Sequence, residues 1–451
     1  MKRLVVVLLL IALGTALECN GEDDRGPCKH AALDSRPHTV SILEFGAVGD
    51  GKTLNTVAFQ NAVFYAKSFS DKGGAKLYVP AGRWLTGSFN LTSHLTLFVE
   101  RGATILAKEG YENWSIIDPL PSYGRGIEVP GRRYRSLIYG QNLTDVVITG
   151  NNGTIDGQGS IWWEMLSSHS LNYSRPHLIE LIDSDDIIIS NLTFLNSPAW
   201  DIHPVYCSNV RIHNIKALAP AESPLTSGIV PDSSMHVCIE NSSISTGHDA
   251  IVLKSGWDQY GVAYGKPTSS VHIRGVYLQS SSGAGLAFGS EMSGGIYDVT
   301  AEKLHIANSS IGIELKTTKG RGGYMKGISI SGAELENVYS GFIVTGYYGS
   351  HPDDKYDPSA LPVVGNITFK DVIGANVAIA GNFSGLVDSQ FTDIYLSNVT
   401  FSISSESSPS WFCSNVRGLS VDVFPEPCSN LQGSYSLLSS LYPSASSVSS
   451  A

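Results

Sequence analysis

The chain has 451 residues, of which 42% are hydrophobic and 16% are charged, so it can bury a sizeable core and is not globally disordered. Its 30 Lys and Arg residues against 41 Asp and Glu give a net charge of −11, which excludes the basic excess that a nucleic-acid partner requires. The apolar residues come in short runs rather than at helical spacing, and this favours a β protein.

The first residues have the pattern of a secretory signal. Lys2 and Arg3 precede an unbroken apolar run that ends at Leu13, and small residues follow as far as Ala16. The run is too short to span a bilayer, so we expect cleavage near Ala16 rather than a membrane anchor. Eleven Asn-x-Ser/Thr sequons also suit a secreted glycoprotein. The sequence therefore predicts a signal peptide over 1–16 and an extracellular protein with no membrane partner.

One segment after this signal has helical periodicity. From Thr56 to Ser68, apolar residues recur at i, i+3 and i+4, and Asn55 or Thr56 can cap the start. We predict a helix here that covers the N-terminal end of the β domain that follows.

A short motif then recurs nine times. In each copy a polar or small residue precedes two apolar positions spaced two apart, and a polar residue and often Asn or Gly follow. The first apolar residues of the copies are Val146, Ile187, Val210, Val237, Val271, Val299, Ile328, Ile367 and Ile394. Successive copies lie 23 to 41 residues apart, which leaves room for one coil of chain and loops of variable length.

Such a strand cannot bury its apolar face alone. Stacking the copies with a rise of about 4.8 Å pairs each strand with the next and closes a common core. The repeats therefore predict an all-β, single-domain parallel β-helix over residues 40–430, preceded by an N-terminal segment over 17–39. A β-sandwich would also use short strands, but the hairpin signals that it needs are few.

The six cysteines suit an oxidising compartment and allow fifteen pairings. We expect one of them, Cys413–Cys428, because these two residues are close in sequence. Neither the cysteine nor the histidine spacing predicts a metal site, and no cofactor is expected. The chain becomes Ser-rich after Asn430, and residues 431–451 are predicted to form a disordered tail.

Several motifs between about residues 40 and 400 point to one enzyme family. They are Phe45–Thr53, Val79–Arg83, Ile155–Gly159, Gly228–Ser234, Asp249–Asp258 and Gly289–Gly295. Together they resemble the plant and bacterial branch of glycoside hydrolase family 28, the polygalacturonase family. This resemblance implies a right-handed parallel β-helix, in agreement with the repeats, and an enzyme that hydrolyses galacturonosyl bonds of pectin with inversion.

The chain departs from the family at the positions that the resemblance implies are functional. The family's Asn-Thr-Asp, Asp-Asp, Gly-His-Gly and Arg-Ile-Lys motifs here read Leu225-Thr226-Ser227, His248-Asp249, Gly283-Ala284-Gly285 and Glu314-Leu315-Lys316. Of the implied set, Asp249 remains as a catalytic carboxylate and Lys316 as a ligand for a substrate carboxylate. Tyr348, Asp232 and Arg321 complete the expected substrate-binding residues.

Two hypotheses can account for the catalytic carboxylates that this chain lacks. An inverting glycosidase needs an acid and a base about 6.5–9.5 Å apart, one on each side of the bond. In one hypothesis His248 is the acid, since an imidazolium can donate a proton in a mildly acidic cell wall, and Asp249 is the base. In the other, Glu291 or Glu314 supplies a new carboxylate.

Two classes of function follow from this sequence. The first is a secreted glycosidase that acts on pectin, and the second is a catalytically weak or inactive β-helix that binds wall polysaccharide. In both, the partner is a pectic polysaccharide such as polygalacturonate, received by basic patches within 125–135 and 316–321. A calcium-dependent lyase is less well supported because no Asp cluster is present to hold the ion. We expect a monomer, since a β-helix buries its own core.

Overall fold

The computed structural model describes Cys28 and residues 35–112, 114–404 and 410–432. The chain divides into two units, 1–34 and 35–451. The predicted signal peptide and all but two residues of the predicted Ser-rich tail lie outside the described residues. Within the described part of the chain, no helix is long and apolar enough to cross a membrane.

The second unit is a parallel β-helix with three strand positions in each coil. In the described residues, 27 strands form one sheet, and all their pairings are parallel. The first ladder contains β1 (His38–Ser41), β2 (Ala75–Val79), β5 (Leu95–Val99), β10 (Thr144–Gly150), β13 (Asp185–Ser190), β16 (Ser208–His213), β19 (Met235–Glu240), β22 (Thr268–Ser280), β24 (Ile296–Lys316), β25 (Tyr324–Thr345), β26 (Val363–Ser384), β27 (Phe391–Ile403) and β29 (Val416–Phe424).

Two further ladders complete each coil. The second contains β3 (Gly82–Thr86), β6 (Ala103–Ala107), β11 (Gly153–Asp156), β14 (Leu192–Leu195), β17 (Lys216–Leu218) and β20 (Ser243–Thr246), and then later parts of the long strands β22 and β24 to β27. The third contains β4 (Phe89–Asn90), β9 (Ile138–Gln141), β12 (Ile179–Ile182), β15 (Trp200–Val205), β18 (Ser227–Ile229), β21 (Ile251–Leu253), β23 (Ala284–Gly289), the ends of β24 to β26, and β28 (Trp411–Ser414).

The remaining elements lie outside these ladders. Two short strands, β7 (Ile116–Ile117) and β8 (Arg133–Tyr134), form an antiparallel pair. The α-helices are α1 (Thr56–Ala66), α2 (Ser160–Ser167) and α3 (Asp258–Tyr264), and the 3₁₀ helices are Ile42–Phe45, Lys67–Lys72 and Ser429–Leu431.

The nine predicted motif copies stack as one ladder, which confirms the repeat assignment. Val146 is in register with Ile187, and the series of partners continues without a break to Ile367 and Ile394. All nine first apolar residues are 2% exposed or less, so they form a continuous row inside the helix. Parallel pairing with matched side chains therefore accounts for the repeat seen in the sequence.

The polar residue that opens each motif copy has a structural role. Asp186, Asn209 and Asn366 have φ angles of 55°, 53° and 56°, in the left-handed region. Asn and Asp enter this region more readily than other residues with a Cβ atom. The residue before the first apolar position of each copy thus turns the chain, which explains why Asp, Asn and Gly recur at this position.

Helix α1 covers the N-terminal end of the coil stack, as predicted. Phe59 and Ala62 are fully buried, and the Phe59 ring lies 4.8 Å from the ring of Phe89 in β4. The helix ends at Ala66, earlier than expected, and continues as a 3₁₀ turn. The predicted side-chain cap is wrong for Asn55, because its amide bonds to backbone groups of Val48, Thr53 and Leu85 instead.

The predicted Cys413–Cys428 disulfide is present. Cys238 is also disulfide-bonded, whereas Cys207 is a buried free thiol.

Candidate active site

A cavity lies along the third ladder, where one coil after another contributes a residue to the same wall. Trp200 begins β15, Ser227 begins β18, Asp249 lies just before β21, and Lys316 ends β24. Because the coils are stacked in register, residues far apart in sequence become neighbours on this face. The lining residues are Leu120, Tyr123, Arg125, Ile127, Glu128, Arg133, Ser174, Arg175, His177, Ala199, Trp200, Leu225, Ser227, His248, Asp249, Lys254, Ser290, Glu291, Lys316 and Tyr348.

Asp249 is a buried, ionised carboxylate in this wall. Its side chain is 3% exposed, Oδ1 accepts from the backbone N–H of Ala284 at 3.0 Å, and Oδ2 accepts from Lys316 Nζ at 2.8 Å. Nδ1 of His248 lies 3.4 Å from the same Oδ2. Burial alone would raise the pKa of Asp249, but His248 and Lys316 hold this pKa well below its usual value. Asp249 is therefore suited to accept or stabilise positive charge, not to donate a proton.

Lys316 is the cation at the centre of this group. Besides Asp249, its Nζ contacts Oε2 of Glu314 at 3.0 Å and lies 4.8 Å from the ring centre of Tyr348. Burial lowers the pKa of Lys316, but the two carboxylates outweigh this effect and raise it. Burial raises the pKa of Glu314, although Lys316 opposes the shift. Two carboxyl groups thus share one ammonium in the wall of the cavity.

Three other cations of the wall are also in ion pairs. Lys254 bonds to Glu291, whose pKa falls to about 2 because the charges of Lys254 and Arg321 outweigh burial. Nη1 of Arg133 donates to both oxygens of Glu180, at 2.5 and 2.7 Å. In the same way, Arg175 donates from Nε to Glu128 at 2.7 Å and from Nη1 to the carbonyl of Pro198 at 2.6 Å. Lys316 and these three basic residues are therefore held in ion pairs inside the protein.

A buried chain of polar groups supports the wall from behind. His203 lies between two carboxylates, with Nδ1 3.1 Å from Glu180 and Nε2 3.5 Å from Asp232. Burial lowers the pKa of His203, but its contacts with these carboxylates raise it overall. The hydroxyl of Tyr123, which lines the cavity, donates to Asp232 at 2.5 Å. This chain fixes the Tyr123 side chain in one orientation.

The structure brings four of the six predicted site residues together. His248, Asp249, Lys316 and Tyr348 all line the cavity. The side chains of Asp232 and Arg321 are fully buried, and neither is part of the cavity lining. The functional roles assigned to all six residues stay predictions.

Asp232 and Arg321 contact side chains of the cavity lining without lining the cavity themselves. Asp232 accepts from Tyr123, while Arg321 donates to Asp258 at 2.6 Å and to Oγ of Ser290 at 3.3 Å.

The alternative carboxylates, Glu291 and Glu314, are not solvated surface groups, since their side chains are 13% and 4% exposed.

The sequence did not reveal the stacked pair of His177 and Trp200. Their rings lie 4.5 Å apart and nearly parallel, at 9°, and His177 stays neutral because burial lowers its pKa well below the usual value. The sequence also missed Glu180, which lies between apolar residues of β12. An isolated Glu in a buried strand is a signal that a cation must be nearby, because lone buried carboxylates are rare.

Among the described residues of the second unit, one group has metal-ligating chemistry. His177, Glu180 and His203 bring ligand atoms within 4.8 Å of one another. Both oxygens of Glu180 already accept from Arg133, so a guanidinium supplies the positive charge that a metal ion would bring. We therefore assign this group to the support of the wall.

Comparison with known proteins shows the family. The model of glycosyl hydrolases family 28 matches residues 75–427, and the chain belongs to this family. A probable polygalacturonase from Vitis vinifera is 49% identical over 429 residues, which cover 95% of this chain and 87% of that protein.

Solved structures agree with this fold. An exopolygalacturonase from Thermotoga maritima has a TM-score of 0.72 at 29% identity, over 82% of this chain and 89% of that one. A polygalacturonase from Erwinia carotovora ssp. carotovora has a TM-score of 0.68 at 22% identity, over 86% and 98%, respectively. This likeness confirms the parallel β-helix.

Proposed function

We propose that this family 28 chain is a secreted hydrolase that cleaves galacturonosyl linkages of pectic polysaccharide. The observation that carries the proposal is the ionised Asp249 in the cavity wall, whose Oδ2 accepts from Lys316 and lies 3.4 Å from Nδ1 of His248. The polygalacturonase names of the relatives support pectin as the substrate class. Among the lining residues, Lys316 and Tyr348 are the substrate-binding candidates from the predicted set.

His248 and Asp249 act in this proposal as one unit. Nδ1 of His248 faces Asp249, so Nε2 is the nitrogen left to donate a proton to the glycosidic oxygen. The carboxylate stabilises the imidazolium, as an acidic residue does in other His–Asp pairs. The 3.4 Å contact leaves no space for a water between the two groups, and an inverting pair needs about 6.5–9.5 Å.

The base that activates water is then a second carboxylate. Glu291 lines the cavity, and because its pKa falls to about 2 it is in the ionised form that a base needs near neutral pH. Lys254 holds it in place and is itself 5.7 Å from the ring of Trp200. Asp232 and Arg321 contribute by fixing Tyr123 and Ser290 in the wall.

The test is one incubation of the secreted protein with polygalacturonate, rhamnogalacturonan and xylogalacturonan, with new reducing ends as the readout. We expect hydrolysis of a galacturonan and a loss of at least about 10²-fold for His248→Asn and for Glu291→Gln. Asp388→Asn is the control, because Asp388 is 54% exposed and pairs with Lys319 away from the cavity lining. A fully active Glu291→Gln variant would remove Glu291 from the mechanism.

The second candidate is a protein that binds pectin without cleaving it. One observation favours it: Glu128, Asp249 and Glu291 of the wall are bonded to cations, and Ser227 brings no carboxylate. The double variant Ser227→Asp with His248→Asp decides between the candidates. A strong gain of activity would mean that the natural chain is a degraded hydrolase. An inactive wild type and an inactive variant on all three pectins would leave binding as the function.

A further inference from the structure

We infer that the cavity is closed at one end, so that the enzyme acts on the end of a galacturonan chain and not within the chain. This inference rests on the proposed function, because it specifies how the same site meets its polymer. It follows from the segment that joins β7 to β8, residues 118–132, which we call the strap. An open cleft lets a polymer extend on both sides of the bond to be cleaved, whereas a cleft with one closed end admits only a chain end.

The strap crosses the whole width of the third ladder. At the carboxyl edge, the N–H of Ser122 donates to the hydroxyl of Tyr206, directly after β15, at 3.0 Å. At the amino edge, Arg175, which precedes β12 and bonds to the carbonyl of Pro198 before β15, donates to Glu128 at 2.7 Å. An extended chain from Ser122 to Glu128 spans about 20 Å, which is also the length of the six-residue strand β15. The strap therefore passes from one edge of these strands to the other.

An apolar cluster holds the strap on the outer face of the ladder. Its members are Leu120 and Tyr123 of the strap together with Ile182, Val205, Tyr206 and Trp257. Ile182 of β12 and Val205 of β15 belong to this cluster and not to the main core, because alternate side chains of a strand point to opposite faces. Every residue of β12 and β15 is buried, so the outer face of these two strands has no surface left for a polymer.

The strap is joined to a second wall along the carboxyl edge. This wall is formed by residues 346–362, which follow β25. Nη1 of Arg125 donates to the carbonyl of Pro352 at 2.8 Å, across 227 residues of sequence. The Arg125 guanidinium also lies 5.6 Å from the ring of Trp257, whose N–H donates to the carbonyl of Ser350 at 3.2 Å. The two walls thus meet, and the cavity ends where they meet.

The second wall is itself firmly held. Asp258, fully buried, accepts from Arg321 at 2.6 Å, and its other oxygen lies 2.5 Å from Nδ1 of His351. Asp353 accepts from the hydroxyl of Tyr260 in α3 at 2.6 Å. Segments that open easily have few buried contacts, and neither wall is of this kind. The closed end is therefore a fixed feature of the cavity.

The proposed catalytic residues lie in this enclosed space beside the strap. Six of the lining residues belong to the strap or follow it directly, namely Leu120, Tyr123, Arg125, Ile127, Glu128 and Arg133. Asp249 and Lys316 are almost fully buried, whereas His248 keeps 18% of its side chain exposed. A galacturonan chain thus enters with one end first and stops against the strap. Each cleavage then removes a piece of the same short length.

The experiment uses galacturonan oligomers that carry a fluorescent label at the reducing end, with products separated by length during the first turnovers. We expect one short product and a labelled series that shortens by that length, or a labelled short product if the labelled end enters. Both patterns support the inference. Labelled fragments of many lengths from the start would overturn it. On polymer, viscosity should fall slowly relative to the release of new reducing ends.

The strap can be removed with little disturbance of the strands beside it. Ile117 and Arg133 are antiparallel partners, so an Asn-Gly turn can join them in place of residues 118–132. Arg175 loses Glu128 in this variant but keeps its bonds to the carbonyls of Pro198 and Pro224. The variant should release products of mixed length. If it folds and still gives one product length, the strap does not close the cavity.

A smaller change tests the junction of the two walls. Arg125→Ala removes the bond to Pro352 and should raise the share of other product lengths several-fold. Arg132→Ala is the matched control, because Arg132 lies in the same segment, is 55% exposed, pairs with Asp118 and is not part of the cavity lining. It should give the wild-type product.

The outcomes separate this inference from the proposed function. Hydrolysis with mixed products in the wild type would overturn end attack and leave the hydrolase standing. Calorimetry with the His248→Asn variant counts bound protein per chain without turnover. One protein per chain on both short and long oligomers would support end capture even if the wild type hydrolyses nothing, which would refute the hydrolase. More protein bound on longer chains would overturn end capture, and no binding and no hydrolysis would overturn both.

Discussion

Replacement of Lys316 by Met tests the charge arrangement at the centre of the site. The change removes the ammonium that Asp249 and Glu314 share, while most of the aliphatic volume is kept. Both carboxyl groups then lie buried without their cation, and the loss of one partner from a buried ion pair costs about 3–5 kcal/mol. With an unfolding entropy of about 2.1 cal/mol/K per residue and about 400 folded residues, Tm should fall by about 4–6 °C.

The loss of stability in Lys316→Met should depend on pH, because the groups that lose their partner are carboxyl groups. In the wild type the pKa of Asp249 is depressed, so its stabilising contribution is present above the unfolded value of about 3.9 and is lost as pH falls through the folded pKa. In Lys316→Met the carboxyl groups lack their cation and their pKa values rise in the folded state. Their protonated forms are tolerated at low pH, so the deficit should be largest near pH 7 and smaller near pH 4.

The assay is thermal unfolding at both pH values, with Lys319→Met as the matched control. Lys319 pairs with Asp388 at 2.6 Å, but both side chains are about half exposed, and such solvent-screened pairs contribute little to stability. Equal losses in the two variants at pH 7, or a loss in Lys316→Met that does not change with pH, would refute the reasoning.

Other predictions address the fold and the proton donor. Val237→Asp places a carboxylate in the first ladder without a partner and should cost several kcal/mol in urea unfolding, whereas Val237→Ile should cost about 1–3. Phe59→Ala should remove about 3–5 kcal/mol from the same transition, because this ring packs on Phe89 under the cap helix. If His248 is the acid, wild-type activity should fall as pH rises and the imidazolium deprotonates, and a flat profile up to pH 8 would exclude it.

The fold could be predicted from the sequence because each coil repeats the same local rule. A residue that tolerates a positive φ precedes two inward apolar positions, as in Asn209 and Val210, and this pattern needs no knowledge of distant contacts. The end of α1 and the role of Asn55 could not be read in this way, since the Asn55 amide bonds to Leu85, 30 residues away.

The site was predictable only in part, because many of its contacts also join residues that are distant in sequence. Motif matches identified His248, Asp249 and Lys316, which come from neighbouring coils. The ion-pair partners are distant in sequence: Glu128 pairs with Arg175, and Arg133 pairs with Glu180, each across 47 residues. The basic patches that the sequence suggested for an anionic polymer therefore contain cations with internal partners, which local composition does not show.

His248 and Glu314 should be energetically coupled, because both act on the same two charged groups. His248 contacts Asp249, Glu314 contacts Lys316, and His248 also lowers the pKa of Glu314. His248→Asp alone would place three carboxyl groups around one ammonium, so it should destabilise the wild type more than it destabilises a Glu314→Gln background. For residues in one such network we expect a coupling of about 0.5–3 kcal/mol in a double-mutant cycle of urea unfolding. Additive effects would refute this coupling, whereas a coupling in that range would show that a carboxyl group at position 314 disfavours a further one at position 248.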